Sequence, residues 1–96
     1  MYIVFLKFAE NKNLASDFMD GHKAWIKEGI EQNSFLVVGS LNKNEGGVVL
    51  ANNQSYDEIK NRVEEDPFVI EKIVNYEIFE LTPAMANEQF QFLLNK

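Results

Sequence analysis

The chain has no cysteine, one histidine and only two prolines among its 96 residues. Without thiols there is no disulfide framework and no thiolate nucleophile, which fits a reducing cytoplasm. With one imidazole and no sulfur, an ordinary zinc site would have to be built mostly from carboxylates, so no metal is expected. Basic residues are scarce as well: nine Lys and Arg stand against fifteen Asp and Glu, a formal net charge of -6. No block of Lys and Arg supplies the footprint that a nucleic acid or an anionic membrane surface needs, so neither partner is expected. Long apolar runs are also missing. The N-terminal Met1-Tyr-Ile-Val-Phe-Leu6 meets Lys7 long before it spans a bilayer, and it has neither a basic leader nor a small-residue cleavage site. It reads as a buried strand, and the location as cytoplasmic.

What is present fits one domain over residues 1–96, in the size range where small folds often gain stability by oligomerising. Tyr2 to Phe8 is rich in aromatic and β-branched residues and ends at the polar Glu10-Asn-Lys-Asn13, the pattern of a central strand and a loop. From Leu14 the period changes. Leu14, Phe18, His22, Trp25, Ile26, Gly29 and Ile30 recur at spacings of three and four, with Asp17, Asp20, Lys23, Lys27, Glu28 and Glu31 on the other side. This predicts an amphipathic helix capped by Asn13. Gly21 and Gly29 each cost roughly 1 kcal/mol against alanine in a helix, so they point to close approach by a strand or ligand.

Ser34 to Gly39 and Gly46 to Ala51 read as a hairpin joined by Asn42-Lys-Asn-Glu45. Ser55, with Glu58 three residues on, forms a capping-box pattern opening a second helix over Tyr56, Ile59 and Val63, which Pro67 is expected to end. Lys72 to Leu81 alternates as a fourth strand, and Thr82-Pro83 reads as the start of a short helix through Phe90, Leu93 and Leu94, a helical tail over about 83–96. The order β-α-β-β-α-β is that of an α+β, ferredoxin-like fold with a four-stranded antiparallel sheet and a short C-terminal helix. Strand one carries large apolar residues at odd and even positions alike, so both sheet faces need cover. A second subunit is the economical cover for the face without helices, giving a homodimer that larger assembly can extend.

His22 is the first candidate for chemistry, because an imidazole near neutrality serves as general acid or base. The alternative is a helix histidine that bonds a backbone carbonyl and lines the core. Asp66 stands where a helix meets a proline, a place from which a carboxylate can fix the tautomer of a histidine. It is equally suited to meet solvent or a turn N–H. Ser40, at the end of the second strand, offers a hydroxyl to a substrate oxygen or simply forms a turn. Of the aromatic set Trp25, Phe35, Phe68 and Tyr76, most belong to the core, with one or two left to line a small apolar pocket.

These residues carry a resemblance: an apolar first strand, a His in the first helix, Gly39 ending the second strand, Gly46-Gly-Val48 opening the third, and Asp66-Pro-Phe68 at the end of the second helix. From about Tyr2 to Pro83 the chain resembles the YciI-like (YCII-related) family. The resemblance implies subunits paired sheet to sheet as a dimeric α/β barrel, with a pocket holding the helix histidine and an aspartate, here His22 and Asp66. Pro67 and Phe68 would shape the same turn. Two departures concern the pocket floor and rim: Ser40 replaces a proline common in the family, and Lys72 stands where a glycine follows the Asp-Pro turn. Better understood relatives of the barrel act on small ring compounds by isomerisation, dehydrohalogenation or oxygenation.

The leading expectation is a cofactor-independent enzyme of isomerase or lyase type. His22, oriented by Asp66, would move a proton on a small apolar or aromatic ring held near Trp25 and Phe68, with Ser40 as an auxiliary hydrogen-bonding group. The competing expectation is a module without chemistry, whose barrel pocket binds a small ligand and whose surface serves assembly.

Overall fold

A computed structural model of the chain describes residues 1–94. The apolar N-terminal segment becomes β1 (Tyr2–Phe8), an inner strand whose Tyr2, Val4 and Leu6 are buried while alternate residues face the other way. It is flanked by β3 (Gly46–Ala51) and β4 (Val74–Glu80), and β2 (Phe35–Leu41) closes the sheet in the order β2-β3-β1-β4, every pairing antiparallel. The helices lie on one side, so the chain has the expected α+β, ferredoxin-like architecture. A core of Val4, Val49, Ile59, Val63 and Ile73, all without solvent exposure, fills the space between the layers.

The first helix, α1 (Ala15–Glu31), has the expected faces but not the expected start. Asn13 lies inside a 3-10 turn over Lys12–Leu14, and Leu14 occupies the cap position with no side-chain hydrogen bond. The turn leads into the helix, so the asparagine is drawn into its body and cannot cap. Both helix glycines are explained by close approach. A Cβ at Gly29 would lie 2.2 Å from the Phe35 ring of β2, and one at Gly21 would lie 3.2 Å from Cγ of Pro67.

Ser55 and Glu58 form the capping box, each side chain bonded to the other's backbone N–H, and open α2 (Tyr56–Val63). Pro67 does not end this helix. α2 stops at Val63, and Pro67 begins a further turn, α3 (Pro67–Ile70), for which Asp66 is the N-cap. Proline suits a first helical position because its missing N–H has no partner to lose there. Lys72 follows with φ 58, in the left-handed region that favours glycine. Lysine meets this conformation under strain.

Thr82-Pro83 carries the same cap-then-proline signal without a helix. Residues 81–87 have no regular structure, and a 3-10 helix forms only at Glu88–Leu93, capped by the Asn87 side chain on the Gln89 N–H. Nothing in that segment is buried enough to hold an earlier start: Met85 is 90% exposed. Most helical stability in proteins comes from packing rather than from propensity. The last two residues of the expected tail, 95–96, lie outside the described residues.

Candidate functional site

His22 sits midway along α1, on the side turned toward α3. Its Nδ1 lies 2.8 Å from Oδ1 of Asp66, a residue with no solvent exposure. Three local features create this contact. Asp66 caps α3, and the same Oδ1 accepts the Phe68 N–H at 3.0 Å, which fixes the carboxylate. Gly21 lets α1 approach Pro67. Phe68 is buried and stacks on the imidazole with ring centroids 3.9 Å apart and planes 4° from parallel. Asp66 is thus neither turned to solvent nor spent only on the turn N–H. Its second oxygen, Oδ2, is buried without a hydrogen-bond partner.

A carboxylate accepts and cannot donate, so this arrangement selects the tautomer with the proton on Nδ1 and leaves the Nε2 lone pair free. His22 keeps 15% of its side chain exposed and lines a cavity of about 420 Å³ between α1 and the helix-covered face of the sheet. The cavity exists because the strand positions beneath it are small. Ser40 and Gly47 are paired across β2 and β3, and Gly47 in turn pairs with Leu6 of β1. Ser40 is consequently a strand residue, not a turn former, and it lines the same cavity.

Trp25 and Phe68 also line the cavity. Both are nearly buried, so they serve the core and the cavity wall together. Trp25 is held by its indole N–H, which donates to the Arg62 carbonyl of α2 at 2.8 Å, and by an edge-to-face contact with Phe35 at 5.0 Å. The structure therefore brings His22, Ser40, Trp25 and Phe68 to one cavity, with Asp66 behind the histidine. Sequence reasoning missed Met19 and Lys23, which line it too. The signal for Met19 was available: it precedes His22 by three residues and Ile26 by seven, within the helical period. Among the described residues no group of three or more His, Cys, Asp or Glu side chains is placed to hold a metal ion. No helix among them is long and apolar enough to cross a membrane.

The fold is similar to that of 5-chloro-2-hydroxyhydroquinone dehydrochlorinase from Burkholderia phenoliruptrix AC1100, solved in complex with 2,5-dihydroxybenzoquinone. The two superpose with a TM-score of 0.69 over 84% of this chain and 93% of that one, at 16% sequence identity, a likeness of fold. No family model matches the sequence. No curated protein matches it either.

Proposed function

We propose that this chain is a YciI-like, cofactor-independent acid–base enzyme of isomerase or lyase type, acting on a small apolar or aromatic ring. The observation that carries the proposal is the 2.8 Å contact between His22 Nδ1 and a fully buried Asp66, made by an imidazole that borders a cavity. In the proposed step Nε2 of His22 takes a proton from a ring atom. The electron pair left on the ring either expels a leaving group or shifts a double bond, after which His22 returns the proton elsewhere. The Asp66 carboxylate offsets the positive charge that the imidazole acquires, and the stacked Phe68 holds it in plane. Trp25 and Phe68 bound the ring, while the Ser40 hydroxyl, which makes no hydrogen bond to another described residue, is available to a ring substituent. The dehydrochlorinase of the same fold bound a six-membered quinone, which supports a ring as substrate.

The test is turnover of a panel of halogenated and hydroxylated ring compounds by wild type and His22→Gln. General acid–base groups contribute about 10²–10⁴-fold, so the variant is expected to lose activity by that factor while its circular dichroism stays unchanged. Unchanged turnover would remove His22 from the reaction.

We further propose a homodimer formed by the sheet face that carries no helix. Ile3, Phe5, Val37, Leu50 and Phe79 share that face by register, and Val37 and Phe79 are about half exposed.

A further inference from the structure

Among the described residues the cavity wall contains no carboxylate, although the chain carries fifteen acidic residues. Apart from His22, its only ionisable lining residue among the described residues is Lys23, the next residue of α1. Lys23 is exposed while it lines the cavity, which places it at the rim. It forms no ion pair among the described residues, not even with Asp20 one helical turn earlier. An ammonium on a flexible stem is a point charge that can follow a negative group. Here it stands over walls that are otherwise apolar apart from His22, Ser40 and the indole N–H of Trp25, already bonded to Arg62. In an acidic protein, one unpaired cation at the rim of a carboxylate-free cavity is a local reversal of sign.

We infer that the cavity selects rings bearing a carboxylate, which Lys23 receives at the rim while the ring lies against Trp25 and Phe68. This rests on the reading of the cavity as a substrate site and adds the substrate's charge to it. A carboxylate is favoured over a phenol because it is ionised at neutral pH without assistance, whereas a phenol ionises at about pH 10. Anchoring one end of the ring also fixes which ring atom faces His22, two neighbouring residues of one helix setting both orientation and chemistry. Lys23 would then be a specificity-determining residue, with no proton to move.

The single tryptophan of the chain is a built-in reporter, since Trp25 lines the cavity. Its fluorescence should be titrated with benzoate and with benzamide, a neutral analogue of the same shape, in wild type, Lys23→Met and Lys23→Arg. Wild type is expected to prefer benzoate by roughly tenfold at low salt, equivalent to about 1.4 kcal/mol. Lys23→Met should bind the two equally, and Lys23→Arg should keep the preference. Salt should shrink it, because a charge at the rim is screened. Equal affinities in wild type, or a preference that survives in Lys23→Met, would overturn the selection by Lys23 while leaving a ring-binding cavity intact. No response of Trp25 to either compound would overturn the inference together with the reading of the cavity on which it rests.

Discussion

The two faces of the sheet are made from the same four strands and both carry large apolar residues, yet they are incomplete in different ways. On the helix side Val4, Val49 and Phe35 are sealed, and the packing opens where Ser40 and Gly47 leave the hollow beside His22. On the other side Phe5 and Phe79 meet edge to face at 5.8 Å, with no helix of the described residues over them. A hollow roofed by a histidine suits a small molecule, and a flat apolar surface suits another sheet. The comparison separates the hollow proposed for chemistry from the surface proposed for assembly.

The contrast can be broken first by truncation. Ile59→Ala, at a site with no exposure, should cost about 2–5 kcal/mol in urea unfolding, while Phe79→Ala should cost the isolated subunit less than about 1 kcal/mol. Sedimentation at micromolar concentration should show twice the 11.1 kDa chain mass for wild type and that mass alone for Phe5→Glu. A monomeric wild type would leave the open face without its proposed role. Gly29→Ala sharpens the helix side: the new methyl must displace the Phe35 ring, at a cost of about 1–3 kcal/mol. A stability equal to wild type would mean that Phe35 has room to move.

The smallest effect lies at the sheet's border, where the Tyr76 hydroxyl donates to Glu64 Oε2 at 2.7 Å. That hydrogen bond, with a second from Lys60, holds the Glu64 carboxyl below its ordinary value of 4.5. A lowered carboxyl stabilises the fold above the unfolded value and loses that contribution as pH falls through the folded one. Tyr76→Phe should therefore move the Glu64 titration upward in carbon-detected NMR and narrow the stability difference between neutral and acidic pH. No movement would show that Lys60 alone sets the carboxyl.

Much of this was legible in sequence because local rules and tertiary packing agree. The capping box at Ser55 and Glu58, the order of strands and helices along the chain, and the apolar stripe of α1 needed no distant partner. Where the outcome depends on a remote surface, local signals diverge. Asp66-Pro67 and Thr82-Pro83 present the same cap-and-proline pair, but only the first starts a helix at once, since Phe68 is buried beneath it and the second is followed by Ala84 and an exposed Met85. The pairing of His22 with Asp66 spans 44 residues and needs Gly21 against Pro67, a fit that no spacing rule encodes. The hollow was less legible still, since Ser40 and Gly47 become its floor only through strand register.

The most direct test of the account is the tautomer of the only histidine, read by nitrogen-detected NMR at about pH 9, where an imidazole is neutral. The expected spectrum has the proton on Nδ1, donated to Asp66, and a bare Nε2 available to the cavity. A proton on Nε2 with a bare Nδ1 would contradict it, because His22 would then offer the cavity a donor in place of a base.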